Sequence, residues 1–226
     1  MDMEYGNQIK NDYSFLEQSR VESCFSDLNI KLLSGRHIQD DEYQLYSVLT
    51  DYFDDWERFY SNLYRLHLIR EVFDNRAYYY LDFFDGTKGA LSDQSRYKQL
   101  TEWQTLVGLM LLDLYYVRYF EDPKQIKWSH IKQEIEAGDR KENLQTLFFG
   151  EVRNGFTKNE WSEVEKKWRN TINSFHDLGW VNKLSGQSDE LRFEIRPAIH
   201  RLASLYVGEM MQLDEYVHLF KESLNP

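Results

Sequence analysis

Cysteine, long apolar runs and signal-like patterns are all scarce in this sequence. The 226 residues include one cysteine, Cys24, so the chain cannot form an intramolecular disulfide or a zinc site built from cysteines. The longest apolar run, residues 106–112, is far shorter than the roughly 20 residues that a membrane-spanning helix needs. We therefore expect no membrane span, and we expect Cys24 to pack on a helix.

The start of the sequence also lacks the pattern of a secretory signal. Residues 1–20 mix acids, amides and aromatic residues, without the basic start and apolar centre of a signal peptide. We expect these residues to form a flexible N-terminus. We also expect the protein to be cytoplasmic.

Signatures of catalysis and of cofactor binding are missing as well. Residues 86–89, Gly-Thr-Lys-Gly, lack the spacing and the flanking strand and helix of a nucleotide-binding loop. Acidic residues at 40–42 and 54–55 could hold a cation, but a helix start and a solvated helix face explain them better. The histidines stand singly, without the spacing that places two metal ligands on one helix face: His37, His67, His130, His176, His200 and His218. We expect no enzyme activity, no cofactor and no metal site.

Acidic and aromatic residues, in contrast, are abundant. With 38 acidic against 27 basic residues, the formal net charge is −11, and a molecule of this charge repels phosphate backbones overall. Any contact with DNA must then be local, weak or shared with a partner. The 42% hydrophobic and 16% aromatic content supplies enough apolar surface for a folded body. A chain of 226 residues suits two domains of roughly 100 residues each.

Apolar spacing divides the first half into helix and hairpin. From Asp40, apolar residues fall three and four positions apart through Leu63, which predicts one long helix or two with a bend. Aromatic and β-branched runs at 68–73 and 77–81 flank the turn formers around Asp74, and this arrangement predicts a β-hairpin. The next segment, residues 85–89, contains two glycines and no apolar residue. We place a linker and the domain boundary there.

The second half begins with a strongly apolar helix at 100–117. We expect this helix to be buried and to end before Pro123, because a proline disfavours helix in the preceding residue. A short edge strand is predicted at 126–128. The helix that follows is expected to be capped by Ser129 and to run to about Ala137.

A capping box marks the most clearly delimited helix of the sequence. After a short helix at 143–149, Thr157 and Glu160 have the spacing at which each satisfies a free backbone N–H of the other. Gly179 can adopt the left-handed conformation that ends a helix. Strands at 180–184 and 191–195 follow, and a last helix begins at Pro197 and continues to about Phe220.

The order of helix followed by hairpin occurs twice. Shifting the chain by 112 residues superimposes the apolar positions of the two helices, which is the pattern of an internal repeat: Leu49 on Trp161, Trp56 on Trp168, Tyr60 on Ile172, Leu63 on Phe175 and Leu66 on Leu178. A helix followed directly by a hairpin is the recognition helix and wing of a winged helix-turn-helix. We therefore expect a mainly α protein with small β-hairpin wings, built as tandem winged-helix domains at 21–85 and 90–226.

Basic residues on the second predicted recognition helix and wing are the candidates for DNA contact: Lys158, Lys166, Lys167, Arg169, Arg192 and Arg196. Wings and recognition helices often contact phosphates. The alternative is a salt-bridged solvent face, because the nearby glutamates nearly cancel this charge and pairs such as Glu163 and Lys167 have a favourable spacing. The sequence leaves both interpretations open and favours the second.

Aromatic residues crowd the first predicted wing. Since successive side chains of a strand point to opposite faces, the domain itself can bury only one side of this strand. The rings that we expect to face a partner chain are Tyr78, Tyr80, Phe83 and Phe84. A second helix that covers the hairpin would account for the same residues.

Together with this order of elements, three segments resemble the MksE branch of the MukE-like family: residues 32–38, residues 78–81 and residues 193–201. The resemblance extends over about residues 21–220. It implies a small, non-catalytic tandem winged-helix subunit of a bacterial condensin that forms a homodimer. It also implies a kleisin-type partner of the MksF or MukF kind and, through the kleisin, an SMC-type ATPase of the MksB or MukB kind. It further implies that DNA is bound within this complex, on the nucleoid, and that a membrane is not among the partners.

Two further hypotheses remain open at this stage. Similar complexes exclude plasmids, and the sequence does not separate that role from chromosome maintenance. The alternative from another class is a stand-alone transcription regulator, which would bind a specific DNA duplex through side chains that reach the base edges. The nearly neutral helix from Lys158 to Arg169 argues against a regulator.

Overall fold

A computed structural model describes residues 12–84, 100–185 and 189–205. The predicted linker at 85–89, most of the N-terminal segment and the part of the last helix beyond residue 205 lie outside these ranges. The chain divides into two compact units, one of residues 1–72 and 77–97 and the other of residues 73–76 and 98–226. The described residues are mainly helical, with small antiparallel sheets, as the sequence predicts.

The described part of the first unit contains a 3-10 helix, three α-helices and a hairpin, except for the hairpin residues 73–76, which are grouped with the second unit. Their bounds are a 3-10 helix at Ser14–Glu17, α1 at Ser19–Leu33, α2 at Tyr43–Asp51, α3 at Phe53–Tyr64, β1 at Leu66–Phe73 and β2 at Arg76–Phe83. The helical stretch after Asp40 is therefore two helices, and the break lies at Tyr52, whose φ of −124° and ψ of 35° are not helical. Arg65 ends α3 in the left-handed conformation, with φ of 59°.

The predicted first hairpin is confirmed. Asp74 and Asn75 have positive φ angles of 53° and 58°, the combination that a two-residue type I′ turn needs and that aspartate and asparagine tolerate well. The backbone N–H and C=O groups of Ile38 exchange hydrogen bonds of 2.9 Å with those of Tyr79 in β2. A short extended segment before α2 thus pairs with the second strand of the hairpin.

Aromatic rings form the core of the first unit. The fully buried Trp56 stacks 6.0 Å from Phe25 and 5.8 Å from Tyr60, measured between ring centroids. The hydroxyl of Tyr60 donates a hydrogen bond of 3.0 Å to the Asn29 side chain, which satisfies both buried polar groups. Cys24 is buried on α1, as predicted, and burial raises the pKa of its thiol.

Among the described residues, the second unit has the two longest helices and the larger sheet. Its elements are α4 at Glu102–Val117, β3 at Gln125–Lys127, α5 at Trp128–Ala137, α6 at Lys141–Phe149, α7 at Lys158–Asp177, β4 at Val181–Lys183, β5 at Arg192–Ile195, a 3-10 helix at Pro197–Ile199 and α8 at His200–Leu205. The strands form an antiparallel sheet in the order β3-β5-β4. Ile126 of β3 and Lys183 of β4 both lie opposite Phe193, at the centre of β5.

The start of α5 differs from the prediction. The helix begins at Trp128 with Lys127 as its N-cap, and no side chain caps it locally, so the assignment of Ser129 as the cap was wrong. The backbone N–H of Ser129 instead donates a hydrogen bond of 2.9 Å to the carboxylate of Glu190, 61 residues further on. A residue distant in sequence satisfies the helix start, and the hydroxyl and the backbone N–H of Ser129 lower the pKa of Glu190.

The capping box at the start of α7 is confirmed. The backbone N–H of Thr157 donates to the Glu160 carboxylate at 2.7 Å, and the Glu160 N–H donates to the Thr157 hydroxyl at 3.3 Å. The Thr157 N–H, the Arg153 guanidinium and the Thr157 hydroxyl lower the pKa of Glu160 to about 2. Because folding lowers this pKa from its ordinary value of 4.5, the ionised Glu160 carboxylate contributes its full stabilisation above pH 4.5. This contribution is lost as the pH falls from 4.5 towards 2.

The two units repeat one succession of elements. In each, a first helix precedes a short extended segment, and that segment pairs with the second strand of the later hairpin, Ile38 with Tyr79 and β3 with β5. The helix before each hairpin buries most of the predicted apolar face, with Trp56 in α3 and Trp168 in α7 both fully buried. Leu63 departs from the prediction, because it is 54% exposed while its counterpart Phe175 is fully buried. The match at Leu49 and Trp161 fails in one respect, because Leu49 lies in α2 and Trp161 in the uninterrupted α7.

Replacing Thr157 by alanine is expected to lower the free energy of unfolding by about 1 kcal/mol, because an N-cap side chain is lost. Urea unfolding monitored by circular dichroism measures the change. Ser162→Ala is the matched control, since Ser162 is exposed within the same helix and has no capping role. Equal stability of the two variants would show that the capping box does not contribute.

Gly108 in α4 is expected to resist substitution. A Cβ atom there would lie 2.6 Å from Leu202 Cδ2 and 3.4 Å from Phe175 Cζ, so Gly108→Val should lower the free energy of unfolding by about 1–3 kcal/mol through overpacking. In Gly155→Val the new side chain meets open space, because no heavy atom lies within 4 Å of the added Cβ. That control should stay within about 0.5 kcal/mol of the parent. An unchanged Gly108→Val protein would mean that Leu202 moves aside without cost.

Candidate functional site

Helix α7 carries the candidate DNA-contacting surface. One side of the helix is buried, through Trp161, Val164, Trp168, Ile172 and Phe175. Since these residues recur three and four positions apart, the opposite side faces solvent. The exposed residues are polar or charged: Lys158, Asn159, Ser162, Glu163, Lys166, Lys167, Asn170, Asn173 and Asp177.

The lysines of α7 are the basic candidates that remain accessible. Lys158 is exposed at the first position of the helix, and Lys166 is exposed two turns later. Within the described residues, neither takes part in an ion pair. Lys167 is also exposed, and its ammonium lies 4.9 Å from the centroid of the Trp103 ring, so the expected pairing of Glu163 with Lys167 is replaced by a cation–π contact.

Arg169 is held by protein groups. Its Nε and Nη2 atoms donate to the Glu165 carboxylate at 3.0 Å and 2.6 Å, and Nη2 also donates to the backbone carbonyl of Asp189 at 2.6 Å. A phosphate would have to displace these acceptors. The salt-bridged interpretation of this helix is therefore the one that the structure shows for Arg169.

The two arginines of the second hairpin differ from each other. Arg192 in β5 is half-buried and forms no ion pair within the described residues. Arg196 is buried, with 8% of its side chain exposed, and its Nη1 donates to the Glu194 carboxylate at 3.2 Å. Burial and pairing place Arg196 inside the protein, so it is not available on the surface of the wing.

The charge balance of α7 limits what the surface can bind by itself. The helix contains four basic residues and four acidic ones, and an electrically neutral helix gains little from the release of counterions. Of the six basic candidates, four remain accessible: Lys158, Lys166, Lys167 and Arg192. This set is large enough for only a small number of phosphate contacts.

The aromatic candidates of the first hairpin separate into buried and accessible rings. Tyr78 and Tyr80 are buried, with their centroids 6.0 Å apart, and His37 stacks 4.8 Å from Tyr80. Tyr79, on the other side of β2, is buried in the apolar core. Both faces of β2 are thus covered, which removes Tyr78 and Tyr80 from the surface rings.

Phe83 and Phe84 are the accessible aromatic candidates. Both are half-buried at the end of β2. The Phe84 ring lies 3.7 Å from the His67 ring, measured between centroids. The prediction of a partner interface in the first unit therefore depends on these two residues.

A groove in the second unit is a feature that the sequence analysis missed. It has a volume of about 340 Å³ and is lined by residues from α4, α5 and α6. The sequence signal was the almost wholly apolar α4, which predicts a buried helix. Leu106, Leu109 and Met110 of α4 are instead only half-buried, and Val117 is 73% exposed.

The described residues contain no group of three or more histidine, cysteine, aspartate or glutamate side chains arranged to hold a metal ion. Within residues 12–84, 100–185 and 189–205, no helix has both the length and the apolar character needed to cross a bilayer.

Comparison with known proteins identifies a family for this chain. A search of the curated proteins finds no match to the chain. Residues 23–207 match the family model described as condensin complex protein MksE. This match begins within α1, includes the later described elements through α8 and extends over well over half of the 226 residues. The chain therefore belongs to the MksE family of condensin complex proteins.

Proposed function

We propose that this chain is a non-catalytic accessory subunit that binds a kleisin-type protein and, through it, an SMC-type ATPase. The observation that carries the proposal is the match to the condensin complex family over residues 23–207. In this arrangement the ATPase resides in another subunit. The chain contributes binding surfaces to an assembly that organises DNA for chromosome segregation, in the cytoplasm and on the nucleoid.

We further propose that both units are winged-helix domains. The element order of the second unit supports this, because α7 leads directly into the β4–β5 hairpin and β3 completes the sheet against β5. A recognition helix followed by a wing has this order. The first unit has the same order in reduced form, with α3, the β1–β2 hairpin and the single bridge between Ile38 and Tyr79.

The charge distribution favours a protein partner over autonomous DNA binding. The net charge of −11 opposes association with a polyanion at physiological salt, and Arg169 and Arg196 are engaged by carboxylates. A stand-alone regulator would need a strongly basic recognition surface. We place DNA contact in the assembled complex, with Lys158, Lys166, Lys167 and Arg192 in a supporting role.

We also propose that the chain forms a homodimer. Phe83 and Phe84 support an interface in the first unit, since half-buried aromatic rings at a strand end are typical anchors of protein interfaces. Two copies would allow one complex to hold two kleisin segments.

Affinity purification of the tagged chain from its native cells tests the proposed function. A kleisin-like protein and a large coiled-coil ATPase should co-purify with it and be identified by mass spectrometry. A tagged protein of similar size and negative charge is the control for nonspecific capture. Recovery of neither partner, together with tight sequence-specific DNA binding by the purified chain, would make the protein a regulator and contradict the proposal.

The double variant Lys158→Glu with Lys166→Glu tests the role of α7 in the assembled complex. We expect DNA affinity about tenfold lower at 0.15 M salt, and a log–log salt slope shallower by about 2, because two phosphate contacts are lost. Filter binding at several salt concentrations measures both quantities.

Arg58→Glu with Lys141→Glu is the matched control for this variant, since both side chains are exposed but lie outside α7 and the second hairpin. The control changes the net charge by the same amount. If both double variants lose the same affinity, the effect is one of overall charge, and α7 does not contact DNA.

A further inference from the structure

The groove of the second unit has two apolar walls, one from α4 and one from α6. Leu106, Met110 and Val117 of α4 follow each other at intervals of four and seven residues, so they lie along one side of the helix. Leu144 and Leu147 of α6 form the opposite wall. The leucines of α6 are half-buried, and the groove therefore presents apolar surface from both helices.

Acidic residues dominate the rim of this groove. Asp113, Glu134 and Asp139 lie along it, and Arg140 is the basic residue among its described lining residues. Arg140 is already paired with Asp113 at 3.3 Å. The net charge of the rim is negative, so it complements a ligand that carries lysine or arginine beside its apolar residues.

We propose that this groove binds an amphipathic helix of another subunit of the condensin complex, with an apolar stripe and basic residues at its edges. This inference rests on the proposed function, because it takes the chain to be a subunit of such a complex. An amphipathic helix places its apolar residues three, four and seven positions apart, which is the pattern that fits a groove between two helices.

The dimensions of the groove agree with a short helical ligand. The α4 stripe from Leu106 to Val117 extends about 16 Å at 1.5 Å per residue, which accommodates about three turns of a bound helix. Directly after α4, Tyr119 and Phe120 are 54% and 98% exposed, and they add accessible aromatic surface next to Val117.

The C-terminal sequence of the chain itself is a poorer match for the rim. Residues 206–226 carry Glu209, Asp214, Glu215 and Glu222 against Lys221 as the one basic residue. Like charges would oppose their binding beside Asp113, Glu134 and Asp139. Charge complementarity therefore favours a basic segment of a partner over this segment.

Site-specific photo-crosslinking in the co-purified complex locates the ligand of the groove. p-Benzoylphenylalanine replaces Leu144, and in the control it replaces Val152, which is 52% exposed in the same unit but does not line the groove. We expect position 144, and not position 152, to cross-link to a partner segment with apolar residues three, four and seven apart and a net positive charge.

Several outcomes would overturn the inference while the proposed function stands. These are cross-links from position 144 to residues 206–226 of this chain, to a second copy, or to an acidic partner segment, and the absence of any cross-link in an intact complex. If the complex does not co-purify with the unsubstituted chain, both the proposed function and this inference fail.

Charge reversal provides a second measurement. In the purified complex, Glu134→Lys with Asp139→Lys should weaken binding of the chain to its partners by about tenfold. Glu136→Lys with Glu142→Lys is the matched control, because both acids are exposed on α5 and α6 outside the groove. Equal affinities of the two double variants would contradict the role of the acidic rim.

Discussion

The burial of Trp168 determines how α5, α6 and α7 pack against one another in the second unit. Its fully buried ring lies 6.2 Å from the Trp128 ring of α5 and 5.8 Å from the Phe148 ring of α6, so one indole joins three helices. A rotation of α7 about its axis would expose this ring and replace it with a polar side chain, at a cost in transfer free energy of several kcal/mol. The orientation of α7, and with it the identity of every exposed residue on that helix, follows from this one packing interaction.

Local patterns in the sequence were sufficient for most helices and strands. The capping box of Thr157 and Glu160, the turn at Asp74 and Asn75, and the apolar spacing around Trp168 each involve residues a few positions apart. Long-range partners could not be read in the same way. Glu190 satisfies the start of α5 across 61 residues, and His37 covers Tyr80 from a distant segment. Apolar periodicity indicates which side of an element is buried, but not what covers it.

In the candidate site, too, the sequence showed which residues are present but not what each of them contacts. The sequence identified the basic residues of α7 and of the second hairpin, and only the fold reveals that Arg169 and Arg196 already bind carboxylates. The groove was missed because α4 is apolar nearly all round, and its one charged residue beyond the first turn, Asp113, was not enough to show which side remains open. The accessible lysines, the acidic rim and the net charge of −11 are the features on which the proposed binding of protein partners depends.

The burial of Cys24 has a practical consequence for studies of the assembly. The chain's one thiol is 7% exposed, and its pKa is raised by burial, so the reactive thiolate is scarce at neutral pH. Thiol-reactive dyes and spin labels should leave the unmodified protein nearly untouched. A cysteine introduced at an exposed position would then be labelled selectively, and distances within the complex could be measured without first removing the natural cysteine.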